Sequence, residues 1–254
     1  MSKRLIIANW KMNPVSLREA EYLFKEFKKV TIKSKNIHTI LCVPFPYLYP
    51  LKKLKTILRF LLGAQNVFKD VDGAYTGEVS PLMIADSGAN FCIVGHSERR
   101  AMGETDVDIN QKIKLLLKNK ISPILCVGER ERDGKHTYFD FVKRQIVEDL
   151  KNVQKNLLKN IVIAYEPVWA IGKDATREAT PVEVNEMTIF IRKCISDISS
   201  SSIAHDIKVI YGGSVTKNNV SDFIEYGGVD GFLVGRASLS VRDFIKIIQI
   251  VDKK

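Results

Sequence analysis

The 254-residue sequence predicts a (β/α)8 barrel, an α/β fold of eight parallel strands surrounded by helices. Eight short apolar runs, at 5–10, 39–44, 61–67, 90–95, 122–127, 161–166, 208–211 and 231–235, alternate with stretches of helical period. Several runs are apolar without alternation, as strands covered on both faces are. Neither a linker nor a low-complexity segment interrupts the alternation, so residues 1–254 read as a single barrel domain. Strands that alternate with helices pair in parallel through right-handed crossovers, and eight such units close a barrel. A doubly wound open sheet is the alternative. It fits less well, because Asn9-Trp10-Lys11-Met12-Asn13 follows the first strand where a G-x-G-x-x-G would be expected.

The helices between the runs carry start signals. Ser16-Leu17-Arg18-Glu19 reads as a capping box before the first helix. The second and third crossovers, around 47–55 and 81–87, must be short, and Ser80-Pro81 caps the latter. Phe139, Val142, Ile146, Leu150, Val153 and Leu157 recur every three or four residues, with charged and polar residues on the other face. Thr180-Pro181-Val182-Glu183 combines a cap, a Pro at the first helical position and the reciprocal Glu. Thr216 reads as the cap of a later helix.

Composition narrows the function. Apolar residues make up 45% and charged residues 27%, an ordinary globular balance, and no run approaches the length of a membrane helix. The net charge of +10 favours anionic ligands mildly. Its densest cluster, Lys52, Lys53 and Lys55, reads as a solvated helix face, and no aromatic-basic interleaving suggests nucleic acid. Cys42, Cys92, Cys126 and Cys194 are widely spaced without a C-x-x-C pair, three of them inside apolar runs, which fits reduced thiols in a cytoplasmic protein and argues against structural zinc. The apolar run after Lys3-Arg4 stops at Asn9, too short for a signal sequence, and reads as a strand.

In a parallel barrel all strand C-termini share one face, and that face carries the chemistry. Ile163-Ala164-Tyr165-Glu166 delivers a carboxylate to the end of the sixth strand, Pro167 stiffens its exit, and the segment ends at Gly172. A positioned carboxylate is what proton abstraction from carbon needs. His96 opens a polar turn after the fourth strand, where the N-terminus of a short helix would disfavour imidazolium. The neutral ring could donate its N–H to a carbonyl oxygen. From the end of the first strand, Asn9 and Lys11 bring an amide and an ammonium that could steady developing negative charge. Glu98 could serve as a second general acid, but reads better as an ion-pair partner that positions Lys11. Gly212-Gly213-Ser214 and Gly235 follow strands seven and eight, where backbone amides commonly cradle phosphate, and Gly172 could add another amide. No metal-ligand cluster, paired catalytic carboxylates, Ser-His-Asp pattern or cofactor fingerprint accompanies them. The matching reaction converts an aldose phosphate into a ketose phosphate through an enediolate. Another phosphosugar enzyme of this fold and a non-catalytic binder of anionic ligands remain the alternatives.

Several motifs carry a resemblance along nearly the whole chain. They are Asn9-Trp10-Lys11-Met12-Asn13, Gly63-Ala64-Gln65-Asn66-Val67, Gly73-Ala74-Tyr75-Thr76-Gly77-Glu78, Val94-Gly95-His96-Ser97-Glu98-Arg99-Arg100, Cys126-Val127-Gly128-Glu129, the segment 164–172, and Tyr211-Gly212-Gly213-Ser214-Val215. With these the sequence resembles the triosephosphate isomerase family, whose fold is the TIM barrel. The resemblance implies interconversion of dihydroxyacetone phosphate and glyceraldehyde 3-phosphate in glycolysis and gluconeogenesis, without cofactor or metal. It implies Glu166 as base, His96 as electrophile, and Asn9 and Lys11 as substrate ligands. Gly172, Ser214, Gly235 and the Arg236 amide would hold the phosphate, and Ile171 with Leu233 would form an apolar clamp over Glu166. A homodimer is implied as well, in which loop 72–78 carries Thr76 toward the partner's site. Two departures stand out. The family's lid normally continues Thr-Gly-Lys, whereas residues 173–180 here read Lys-Asp-Ala-Thr-Arg-Glu-Ala-Thr, two residues longer, and closure is still expected. Arg236 replaces a usual Gly, and its side chain is expected to point outward or to add charge near the phosphate.

Overall fold

A computed structural model describes residues 3–55, 58–172 and 175–254. The strands are β1 (Arg4–Asn9), β2 (Ile37–Val43), β3 (Phe60–Ala64), β4 (Phe91–Val94), β5 (Ser122–Val127), β6 (Val162–Tyr165), β7 (Lys208–Tyr211) and β8 (Gly231–Val234). They close in sequence order, each pair parallel, and β8 returns to β1 with Leu5 opposite Gly231 and Ala8 opposite Val234. Closure excludes the open sheet. The helices are α1 (Leu17–Thr31), α2 (Phe45–Leu54), α3 (Pro81–Asp86), α4 (Ser97–Ala101), α5 (Asp106–Lys118), α6 (Thr137–Asp149), α7 (Pro181–Ile198), α8 (Ser201–Asp206), α9 (Val220–Tyr226) and α10 (Val241–Lys253).

Strand alternation divides the apolar residues between two cores. Leu5, Ile7, Ile40, Cys42, Ile93, Ile124, Cys126, Val162, Ala164, Ile210 and Leu233 fill the barrel interior. The opposite faces pack with the helices into a larger shell that includes Ile6, Ala8, Leu41, Val94, Leu125, Ile163 and Val209. Each large side chain fully buried this way contributes about 1.5–3 kcal/mol. Phe27 of α1 meets Phe244 of α10 at 4.7 Å across the closing seam, and Phe24 packs α1 on the sheet through Phe60 of β3 at 4.8 Å. All four cysteines are buried and free.

The start signals behave as the sequence predicts at Ser80 and at Thr180, where Thr180 and Glu183 form the full reciprocal box. Ser16 forms half of one, because its hydroxyl accepts the Glu19 amide while Glu19 does not return the bond. The complete counterpart is Thr105 with Asp108 at the head of α5. Thr216 is not the cap of α9. It starts the preceding turn, its hydroxyl accepting the Asn218 amide, and Asn219 stands at the helix boundary. The periodic run 139–157 also divides. α6 ends at Asp149, Asn152 adopts a left-handed φ of 58°, and Lys155–Asn160 forms a separate 3-10 turn.

Candidate active site

Extending the interior alternation by two residues from each strand leads to the site. Val162 and Ala164 point inward, and the next inward position is Glu166; Leu5 and Ile7 lead likewise to Asn9, and Leu233 to Gly235. The top layer of the barrel is thus polar or small where the layers beneath are aliphatic.

Glu166 is 2% exposed. Its amide donates to Val127 O at 2.8 Å, while Gly212 N donates to Tyr165 O at 2.8 Å, so both neighbouring strands hold the backbone here. Two glycines make room for it. A Cβ on Gly128 would lie 1.9 Å from Glu166 O, and one on Gly212 would lie 3.0 Å from Glu166 Cγ. The carboxylate Oε2 accepts the Ser97 amide at 3.0 Å, and Oε1 lies 3.3 Å from His96 Nε2.

His96 stands at the N-cap of α4, where its Nδ1 accepts the Glu98 amide at 3.2 Å. An acceptor at Nδ1 leaves the ring hydrogen on Nε2, facing Glu166. The preceding residue is steadied from both sides: Gly95 N donates to Glu104 Oε2 at 3.2 Å, and Arg100 Nε donates to Gly95 O at 2.8 Å. Asn9 is buried, and its Oδ1 accepts the Lys11 amide at 3.0 Å. Lys11 has φ 52°, a conformation that costs a non-glycine residue about 1–3 kcal/mol and that recurs at functional sites. Its Nζ pairs with Glu98 Oε1, the positioning contact that the sequence predicts.

His96 is in the wall of one cavity and Glu166 in the wall of another. One of about 380 Å³ has Asn9, Lys11, Gln65, His96, Glu98 and Met102 in its wall, and one of about 300 Å³ has Ser97, Cys126, Gly128 and Glu166. Burial and the neighbouring Glu166 carboxylate push the Cys126 thiol well above its ordinary range, so it stays protonated.

The residues after β7 and β8 line neither cavity. Ser214 Oγ donates to Ala170 O at 3.2 Å, which joins the β7 loop to the segment after Glu166. Gly235 reaches the first group from the other side, since a Cβ there would lie 3.8 Å from Lys11 Cε. Arg236 begins a 3-10 turn and is exposed, and its φ is not positive, so an L-residue fits. The amides of Gly172, Gly235 and Arg236 donate to no protein acceptor among the described residues. Leu233 is buried in the interior, whereas Ile171 is half-buried and packs on neither core in this conformation. Thr76 lies on an exposed loop and lines neither cavity. Of the longer loop 173–180, Lys173 and Asp174 lie outside the described residues.

The structure adds three groups that the sequence reading did not single out: the Ser97 amide, Gln65 and Cys126. Strand alternation would have pointed to Cys126, an inward residue next to Glu166, and to Gln65, which continues Leu61 and Gly63. No sequence signal marks a backbone amide.

A buried carboxylate 3.3 Å from an imidazole nitrogen, with an ammonium in the same cavity wall as that ring, can move a proton between carbon atoms while charge collects on oxygen. Comparison with known proteins gives the same direction. The family model of triosephosphate isomerase matches residues 4–251. A triosephosphate isomerase of Endomicrobium trichonymphae is 41% identical over 98% of this chain and 99% of its own length. The triosephosphate isomerase of Dictyoglomus thermophilum is 40% identical over 98% of this chain and 100% of its own, and that of Dictyoglomus turgidum 39% over the same shares.

Proposed function

The chain belongs to the triosephosphate isomerase family and is an isomerase of triose phosphates, and on that premise we propose that Glu166 and His96 carry out the chemistry. Glu166 takes a proton from C1 of dihydroxyacetone phosphate. The C–H electron pair forms the C1–C2 double bond, and the carbonyl pair moves to the C2 oxygen. His96 Nε2–H donates to that oxygen as it becomes negative, and the Lys11 ammonium adds positive charge nearby. Glu166 returns a proton at C2 after the ring has exchanged a proton between the two oxygens, which yields glyceraldehyde 3-phosphate. The contact between Glu166 Oε1 and His96 Nε2 at 3.3 Å is the observation that carries this reading.

Asn9 and Lys11 bind the substrate, and Glu98 aligns Lys11. The phosphate rests on the amides of Gly172, Gly235 and Arg236 with the Ser214 hydroxyl. Support comes from those three amides having no protein acceptor among the described residues, which suits an anion. Ile171 comes over Glu166, toward Leu233, when substrate draws the loop in. The alternative of a non-catalytic anion binder would leave the inward carboxylate without a purpose.

The reading extends to a homodimer, with residues 1–254 acting as one barrel domain in the cytoplasm. Met12 and Met102, both in the wall of the larger cavity, are 91% and 71% exposed, and Leu82 and Met83 are also exposed. Apolar exposure at the rim of an active site fits a second copy that brings its loop 72–78 and Thr76 to that rim. Sedimentation at micromolar concentration should give twice the chain mass. A coupled triose phosphate assay of wild type and Glu166→Gln tests the chemistry. Loss of about a hundredfold to ten-thousandfold is expected. Near-normal turnover in the variant would remove Glu166 from the role.

A further inference from the structure

The chain leaves β6 through Glu166 and re-enters the fold at α7, and the two margins of that loop are joined to each other. On the outgoing side Pro167 is followed by a 3-10 turn, Val168–Ala170, that carries Trp169. The indole edge is fixed, since Nε1 donates to Glu129 Oε1 at 2.8 Å and the Val168 amide donates to Glu129 O at 2.9 Å. On the returning side Thr176 sends both its amide and its hydroxyl to Trp169 O, at 2.8 and 3.2 Å. Arg177 then lies across the indole face, its guanidinium carbon 4.2 Å from the ring centroid.

Arg177 is itself anchored. Nη1 donates to Glu183 Oε2 at 3.0 Å, and Nη2 pairs with Oε1 of the same carboxylate. Glu183 is the reciprocal residue of the α7 capping box, where its Oε2 also accepts the Thr180 amide at 2.8 Å. The fork therefore starts from the first turn of an 18-residue helix and ends on a ring three residues from Glu166. Pro167, with its ring-fixed φ, makes that short connection stiff. The hydrogen bond from Arg177 pulls the Glu183 carboxyl down to about 2, so the anchor is ionised at neutral pH.

We propose that Arg177 is a positioning residue for the isomerisation: stacked on Trp169 and forked onto Glu183, it fixes the segment that presents Glu166 to the substrate. The inference rests on Glu166 as the base. Arginine is suited to the task because its plane can stack on indole while its edge binds a carboxylate in two places, which an ammonium cannot do together. The residue sits in the part of the loop that is longer than the family pattern, so the extra length here supplies a fastener.

Full-length wild type, Arg177→Ala, Arg177→Lys, Glu183→Gln and the Arg177→Ala/Glu183→Gln pair are assayed together with Glu166→Gln. Gln at 183 keeps the capping bond and loses the charge of the fork. Each of the three single variants at 177 and 183 is expected to lower kcat about tenfold with KM changed less than about threefold, as displaced catalytic groups do. The pair should lose no more than either single change, because both break one device. Acrylamide quenching of Trp169 should rise in each variant against the constant background of fully buried Trp10. Wild-type kcat in Arg177→Lys would overturn the proposal by showing that charge suffices, and so would wild-type kcat in Arg177→Ala. A purely structural role would appear as lowered Tm with normal kcat per folded molecule, which also overturns it. Activity in Glu166→Gln would instead defeat the base assignment, so the two failures are distinguishable.

Discussion

Around the end of β6, Glu166 has its amide and both carboxylate oxygens engaged, and Gly128 just after β5 and Gly212 just after β7 leave room for it. Beyond it, Gly172 in the loop after β6 and Arg236 after β8 are exposed, and their amides and that of Gly235 find no protein acceptor among the described residues. The first region is built by core packing and is complete without ligand. The second is built from backbone donors that a bound anion would complete. In the proposed reading, substitutions on the first side act on kcat, and substitutions on the second act on substrate affinity.

Four changes break or sharpen that contrast. His96→Gln removes the N–H aimed at the developing oxyanion, and kcat should fall about a hundredfold to a thousandfold in steady-state assays. A KM effect without a kcat effect would move His96 to the binding side. Gly212→Ala places a methyl 3.0 Å from Glu166 Cγ, tighter than ordinary contact, and should lower kcat about tenfold through a small displacement of the carboxylate. Crystallography of that variant should show Glu166 shifted from the Ser97 amide.

On the anion side, Arg236→Gly keeps the amide and removes a solvent-exposed charge. About a fivefold rise in KM, shrinking with added salt, is expected with kcat unchanged. Identical KM and stability would leave the side chain without a role at the phosphate. The smallest effect is on acid stability. Glu183 has its folded pKa depressed from 4.5 to about 2 by Arg177, so the pair contributes stability above pH 4.5 that is lost as pH falls toward 2. Tm values of wild type and Arg177→Ala should therefore differ at neutral pH and converge across that window. A constant gap would show that the ion pair is not the source.

The barrel was legible because eight apolar runs alternate with stretches of helical period and the helices carry strong caps at Ser80 and Thr180. Glu166, Asn9 and Gly235 were legible as candidates because each stands where an apolar run ends, and the structure places them as the next inward steps beyond Val162–Ala164, Leu5–Ile7 and Leu233. The run 139–157 misled because periodicity registers which face is apolar and not whether the helix breaks, as it does around Asn152. The Ser97 amide and the fork from Arg177 to Glu183 were beyond reach, since one is backbone and the other depends on how an irregular loop returns to α7. Ile171 shows a different gap: it is half-buried and packs on neither core, and residue types alone do not specify the conformation of the loop that carries it.

Hydrogen exchange at the substrate tests the central claim most directly. Wild type and Glu166→Gln are incubated with dihydroxyacetone phosphate in deuterium oxide, and product and recovered substrate are read by proton NMR. Deuterium at C2 of glyceraldehyde 3-phosphate and at C1 of returned dihydroxyacetone phosphate is expected from wild type, with both signals lost in the variant. Equal labelling by the two proteins would contradict the account, because the proton would then be moving without the carboxylate at 166.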